Sequence, residues 1–144
     1  MTMPSSPSAP STGPLNLFAL AQRGMSAQLV RMNAAASNLA NAGSVAGSAD
    51  EAYQPLRPVF ATALDQASGL ATVDVRAVVR SSAQPLRQHS PDHPLADANG
   101  DVWLSPVDES AEMVEMLDSS RQYQNLVEAL STAKQLMLET MRMK

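Results

Sequence analysis

Two histidines in the middle of the chain are the side chains whose type and spacing come closest to a metal site. His89 and His93 are the only histidines, and they lie four positions apart. That spacing aims two imidazoles at one ion when both stand on a helix. Pro91 lies between them, and a proline inside a helix removes a backbone hydrogen bond and breaks the helix. The pattern therefore indicates a solvated loop rather than a metal centre.

The segment that follows begins like a calcium-binding loop. Its first three ligand positions carry side-chain oxygens, from Asp97, Asn99 and Asp101. Such a loop also needs glycine at its sixth position and a bidentate glutamate at its twelfth. This chain has Val102 and Asp108 there. We therefore interpret the segment as a tight turn with the Asn-Gly pair at its corner.

Composition and motifs argue against most enzymatic and binding functions. The sequence contains no GxSxG, phosphate-loop or GxGxxG motif, and these carry nucleophilic catalysis and nucleotide binding. Cysteine is absent, which excludes disulfides and thiol catalysis. The net charge of −4 argues against general nucleic-acid binding. The sequence contains no run of about 18 apolar residues, the length that a membrane-spanning helix needs. We therefore predict that the protein is not an enzyme and that it binds no metal, cofactor, nucleic acid or small-molecule substrate.

Prolines divide the chain into four segments. Residues 1–14 hold four prolines, four serines and no basic residue, so we expect a disordered lead and no secretory signal peptide. Residues 15–42 and 107–144 lack proline and are predicted to form long helices. Residues 43–106 hold six prolines. Apolar and polar residues alternate at 56–60 and 73–80, so we expect a central loop region with a short β-hairpin.

Both predicted helices carry an apolar stripe. In the first, a heptad seam comprises Leu15, Phe18, Met25, Leu29, Met32, Ala36 and Leu39. In the second, the stripe comprises Met116, Tyr123, Leu126, Leu130, Ala133 and Met137. An exposed stripe must be buried against a partner. We therefore predict a mainly α fold with a small β portion. The terminal helices pair as an antiparallel coiled coil and form one inner helical domain.

Polar side chains follow the second half of the first helix, and they admit two interpretations. They are Arg31, Asn33, Ser37, Asn38 and Asn41. They could form a solvated face that ends in a helix cap. Alternatively, their amides bond to a neighbouring subunit and fix its register, as a single asparagine does in a coiled-coil seam. Asn38 and Asn41 join the stripe residues as candidate helix-packing and assembly residues.

These residues carry a resemblance to a known family. The segments 25–28 (MSAQ), 31–33 (RMN) and 36–41 (ASNLAN) resemble the N-terminal signature of the flagellar rod, hook and hook-associated proteins. Later segments narrow the resemblance to the proximal rod proteins of that family: 53–60 (YQPLRPVF), 93–97 (HPLAD) with 100–102 (GDV), 112–116 (EMVEM) with 121–123 (RQY), and 133–134 (AK). The resemblance covers residues 15–143.

The resemblance implies a structural subunit of the bacterial flagellar basal-body rod. It implies export from the cytoplasm through the flagellar type III apparatus without a cleaved signal peptide, and polymerisation in the periplasm into the hollow drive shaft. The implied partners are further copies of the chain, other rod proteins, basal-body ring components and the export apparatus. The terminal helices would form the inner domain, and residues 43–106 the outer region.

Two other hypotheses belong to different classes of protein. A soluble helical-hairpin adaptor would bind one partner helix without polymerising, and it needs only one interaction face. A polymer subunit needs several, and the second face of alanines and amides on the first helix favours it. A hydrolase or metal enzyme built on the central segment is disfavoured by the missing motifs.

Overall fold

The computed structural model describes residues 14–66 and 69–143, without the side chains of residues 14, 15 and 65. The predicted disordered lead and the side chain of Leu15 therefore lie outside the described part. Two helices enclose five strands in chain order: α1 Pro14–Ala40, β1 Val45–Ala46, β2 Leu56–Asp65, β3 Leu70–Arg80, β4 Leu86–His89, β5 Asp101–Leu104 and α2 Glu109–Arg142. Neither described helix is long and apolar enough to cross a membrane.

The strands form two separate antiparallel sheets. Strands β2 and β3 make a two-stranded ribbon whose register runs from Leu56 opposite Arg80 to Asp65 opposite Leu70. The register shifts at Val59 and Phe60, which marks a β-bulge in the ribbon. The second sheet has the order β1-β5-β4. Because β5 leads directly into α2, this small sheet connects the end of α1 to the start of α2.

The prediction of a mainly α protein with a small β portion is wrong. The segment that we expected to be loops with a short hairpin forms both sheets, and the two ribbon strands have ten and eleven residues. The alternation visible in the sequence marked only part of each strand. The remaining residues are held by pairing across the ribbon, which satisfies their backbone groups regardless of side-chain pattern.

The predicted antiparallel coiled coil between long terminal helices is also wrong. The buried alanines of α1 are Ala21, Ala27, Ala34 and Ala35, which lie outside the heptad seam. Leu29, in the middle of that seam, is 43% exposed. Because α1 packs against the ribbon as well as against α2, the small side chains occupy the close contacts. At Gly24, an added Cβ would lie 3.1 Å from Cδ1 of Leu126.

The ends of the two helices follow from local capping. The Asp108 side chain accepts hydrogen bonds from the backbone N–H groups of Ser110 and Ala111, and so starts α2. Acidic residues in its first turn and Arg142 in its last turn complement the helix dipole. At the end of α1, the Asn41 amide donates to the Ser37 carbonyl at 2.8 Å.

Two glycines in the left-handed region provide a matched test of turn packing. Gly43 has φ +71° and Gly100 has φ +77°, so alanine at either site strains the backbone. A Cβ on Gly43 meets nothing within 4 Å, whereas one on Gly100 lies 3.0 Å from Cβ of Pro91. We expect Gly43→Ala to lower the free energy of unfolding by about 1 kcal/mol, and Gly100→Ala by about 1–3 kcal/mol more. Urea denaturation measures both, and equal losses would contradict the packing argument.

Candidate functional site

The two histidines considered as metal ligands lie in separate local contacts. His89 Nδ1 is 2.9 Å from Asp101 Oδ1. His93 Nδ1 accepts the backbone N–H of Leu95 at 3.1 Å. Across residues 14–66 and 69–143, no group of three or more histidine, cysteine, aspartate or glutamate side chains is placed to hold a metal ion.

The Asp101 carboxylate accepts hydrogen bonds from two side chains of the neighbouring strand in the small sheet. Its buried carboxylate lies between the side chains of His89 and Arg87, with Arg87 Nε at 2.7 Å. Hydrogen bonds from His89 and then from Arg87 hold the pKa of Asp101 below its ordinary value. These contacts join β4 to β5 through side chains, in addition to the backbone pairing of the two strands.

The pKa of Asp101 predicts how acid affects stability. Because that pKa is lower in the folded chain than in the unfolded chain, its stabilising contribution is complete above the unfolded value of about 3.9 and is lost as the pH falls towards the folded value. We expect the difference in unfolding free energy between wild type and Asp101→Asn to shrink as the pH falls below about 4. Urea denaturation across this range measures it. Asp92→Asn on the exposed loop is the control, and a difference independent of pH would contradict the assignment.

One buried asparagine joins α1, the ribbon and α2. Asn38 is 0% exposed. Its Oδ1 accepts from the backbone N of Leu56 at 2.7 Å and from the Tyr53 hydroxyl at 2.9 Å. Its Nδ2 donates to the Leu56 carbonyl at 3.0 Å and to Glu112 Oε2 at 3.0 Å. An asparagine amide offers two donor hydrogens and two acceptor lone pairs, so Asn38 uses its full capacity within one chain.

Glu112 closes this three-way contact from α2. Its side chain is buried, and its Oε1 lies 2.5 Å from Arg57 Nη2 in an ion pair. Hydrogen bonding to Glu112 raises the pKa of the Arg57 guanidinium above its ordinary value. Arg57 follows Leu56 in β2, so consecutive ribbon residues are held by α1 and by α2. We call Asn38, Tyr53, Leu56, Arg57 and Glu112 the junction.

A second polar contact joins the helices further along. Arg31 Nε donates to Glu115 Oε1 at 2.7 Å and Nη2 donates to Asp118 Oδ2 at 3.1 Å. Its remaining nitrogen Nη1 donates to Gln28 Oε1 at 2.9 Å. The hydrogen bond to Glu115 is the main cause that raises the pKa of Arg31. This fork of bonds fixes α2 along α1, because a guanidinium bonds only groups in its own plane.

The predicted packing residues occupy several environments. Asn38 lies in the junction, whereas Asn41 bonds to the last turn of its own helix. Leu29 is exposed. The other described members of the predicted set are half-buried, namely Phe18, Met25, Met32, Leu39, Met116, Tyr123, Leu126, Leu130 and Met137.

Sequence reasoning missed the three other side chains that bond in the junction, namely those of Tyr53, Arg57 and Glu112, and the backbone of Leu56 to which Asn38 bonds. In a sequence, a glutamate on a helix and an arginine on a strand have the pattern of ordinary surface charges. The available signal was their position, since all three lie inside segments that resemble the rod proteins.

Large apolar side chains remain exposed on both helices. They are Leu17 and Leu29 on α1 and Met113, Val114, Leu117, Val127, Leu136, Leu138 and Met141 on α2, and we call them the exposed helix residues. Leu29 is nine residues from Asn38, which at about 100° per residue places it on the opposite side of α1 from the junction. Large contiguous apolar surfaces of this kind of side chain are typical of contacts with another macromolecule.

Comparison with known proteins matches both ends of the chain. Residues 18–47 match the family described as Flagella basal body rod protein. Residues 98–143 match the family described as Flagellar basal body rod FlgEFG protein C-terminal. Asn38 lies in the first matched segment and Glu112 in the second, so the junction joins the two.

Flagellar basal-body rod proteins from several bacteria are similar to most of this chain. The flagellar basal-body rod protein FlgC of Salmonella typhimurium is 44% identical over 129 residues, which cover 88% of this chain and 95% of the relative. FlgC of Escherichia coli O157:H7 is 43% identical with the same coverage of both chains. FlgC of Yersinia enterocolitica is 40% identical over 127 residues, again 88% of this chain and 95% of the relative.

Proposed function

Because the chain belongs to the FlgC family of flagellar basal-body rod proteins and is a structural subunit of that rod, we propose that it polymerises through the exposed helix residues. The observation that carries this proposal is the exposure of Leu29 on α1 and of Met113, Val114 and Leu117 on α2. Burying such side chains against a neighbour contributes about 25 cal/mol per Å² of apolar surface removed from water. The half-buried stripe side chains, such as Met25 and Leu130, would be covered further in the same contacts.

The junction has a different role in this proposal. It holds α1, the ribbon and α2 in one arrangement, so that the exposed helix residues of both helices stand at fixed positions. Asn38 acts inside the subunit, through Leu56 and Glu112. We propose that the two helices form the inner part of the subunit and that residues 43–106 form the outer part.

The partners of the subunit are components of the basal-body rod. We extend the proposal to further copies of the chain, basal-body ring components and the flagellar export apparatus. We also propose a periplasmic position, reached by export without a cleaved signal peptide. The N-terminal signature at residues 25–41 supports these extensions, because it resembles that of rod, hook and hook-associated proteins. The family is structural, and the proposal includes no catalytic role.

Replacing an exposed leucine of α2 separates assembly from folding. Leu117 is 60% exposed, so we expect Leu117→Ser to change the free energy of unfolding of the isolated subunit by less than about 0.5 kcal/mol. In the rod the lost contact recurs at every copy, so we expect a cell that carries only this variant to build few rods and to swim poorly. A motility plate and a blot of exported protein measure both effects.

The matched control is Leu86→Ser, because Leu86 is 62% exposed on β4, away from both helices. We expect the control to swim normally. Normal swimming of Leu117→Ser would contradict assembly through α2. Normal swimming of a cell that lacks the gene would instead support the adaptor hypothesis, in which the chain binds one helix and does not polymerise.

A further inference from the structure

The turn before β5 is held by one aspartate. Asp97 Oδ1 accepts the backbone N–H groups of Asn99 at 2.8 Å and of Asp101 at 2.9 Å. The Asp97 carbonyl accepts the N–H of Gly100 at 2.9 Å, and the Gly100 carbonyl accepts from Ser90 at 2.8 Å. The peptide between Asn99 and Gly100 is therefore fixed from both sides by hydrogen bonds.

The Asn-Gly pair in this turn has a chemistry of its own. The backbone nitrogen that follows an asparagine can attack the side-chain Cγ and expel ammonia, which leaves a five-membered succinimide. Water then opens either C–N bond of the ring, and the product is aspartate or isoaspartate. Glycine hinders the attacking nitrogen least, because it lacks a Cβ. Asn99 is the only asparagine of the chain that precedes a glycine, and its side chain is exposed.

We propose that Asn99 is a deamidation site that Asp97 keeps closed in the folded chain. The attacking atom is the Gly100 nitrogen, and its N–H already donates to the Asp97 carbonyl. To reach Cγ of Asn99, the peptide must rotate out of the turn and break that bond. Gly100 has little room to move, because a Cβ there would lie 3.0 Å from Pro91 and 3.1 Å from His89. The rate of deamidation therefore follows the fraction of time that the turn is open.

The reaction would change the sheet permanently. Either product adds a negative charge to a segment that already holds the carboxylates of Asp97 and Asp101, and like charges repel. Isoaspartate also adds a methylene group to the main chain, which displaces the Gly100 carbonyl from Ser90. The turn then no longer supports the pairing of β4 with β5. The fraction of chains that are deamidated at Asn99 therefore increases with the total time that the turn has been open.

The first test compares one protein in two states. The full chain is kept at mildly alkaline pH, folded in buffer or unfolded in urea, and the Asn99 peptide is followed by mass spectrometry and by an isoaspartate assay. We expect deamidation to be at least about tenfold slower in the folded chain, because opening of the turn costs free energy. Asn33 and Asn125 precede alanine and leucine, and as internal controls they should react slowly in both states. Equal rates at Asn99 in the two states would overturn the proposal.

Two variants then test the role of Asp97. In folded Asp97→Ala the turn loses the side-chain acceptor for two N–H groups, so we expect the rate at Asn99 to rise towards that of the unfolded chain. Asp97→Asn keeps an Oδ1 acceptor and should remain close to the wild type. Circular dichroism establishes that each variant is folded. A wild-type rate in folded Asp97→Ala would overturn the assignment of Asp97 as the group that closes the turn.

Discussion

Asn38→Ala is expected to lower the free energy of unfolding by about 2–4 kcal/mol, because an unsatisfied buried polar group costs about 1–3 kcal/mol and two backbone groups of Leu56 lose their partner. Tyr53 and Glu112 each lose a hydrogen bond as well. The ribbon would no longer be fixed to α1 at its first residue. Urea denaturation of the purified subunit, followed by circular dichroism, measures the loss.

The same helix offers a matched control for this substitution. Asn33 is exposed, so Asn33→Ala should change stability by less than about 0.5 kcal/mol. Asn38→Asp tests the chemistry more closely, because it has nearly the same shape but replaces the donor to Glu112 with a second buried carboxylate. We expect it to be at least as unstable as Asn38→Ala. If Asn38→Ala matched Asn33→Ala, the amide would have no structural role inside the subunit, and the alternative of a bond between subunits would gain support.

Glu112→Ala is expected to lower the free energy of unfolding by about 1–3 kcal/mol, because a buried donor hydrogen of Asn38 loses its acceptor and Arg57 loses its ion pair. Glu112 is 1% exposed. Its loss leaves Arg57 Nη2 without its carboxylate and one of the two Asn38 Nδ2 hydrogens without an acceptor, while the other still donates to the Leu56 carbonyl. The Arg57 side chain is partly exposed and can regain water, which places the expected cost near the lower end of that range. Urea denaturation at neutral pH measures it.

Two further variants separate charge from burial. Glu109→Ala removes an exposed carboxylate from the same helical turn and should have little effect. Glu112→Gln keeps an acceptor for Asn38 but loses the charge that faces Arg57, so its cost should fall between the other two. The junction also predicts a non-additive double variant of Asn38→Ala and Glu112→Ala, since directly bonded residues couple by about 0.5–3 kcal/mol. Additive losses, or a Glu112→Ala variant as stable as Glu109→Ala, would show that the two residues do not act together.

Local signals in the sequence were sufficient to locate the helices. The predicted ranges 15–42 and 107–144 compare with Pro14–Ala40 and Glu109–Arg142 in the structure. Helix ends depend on nearby residues, such as the Asp108 cap and Gly43, and such signals are readable without the fold. The family signature was also local, because residues 25–41 and 112–123 carry it as short motifs.

The strands were only partly predictable. The alternating segments at 56–60 and 73–80 marked the ribbon, but its full length of ten and eleven residues depends on pairing between strands. The small sheet was missed, because β1 and β4 have two and four residues, too few for a period to be visible. Their pairing with β5 depends on chain segments that are distant in sequence.

Residue patterns alone located the ends of α1 and α2 to within two residues, together with the motifs and apolar stripes of both helices. The side of α1 that is buried depends instead on how the ribbon and α2 pack against it. Leu29 and Ala35 both suit a helix contact, and the ribbon and α2 approach α1 together on the side where Ala35 and Asn38 lie. The same is true of Glu112, which differs from Glu109 in its surroundings and not in its residue type. A residue here is buried because α1, the ribbon and α2 pack together around it. The periodicity of apolar residues within one helix cannot predict that contact.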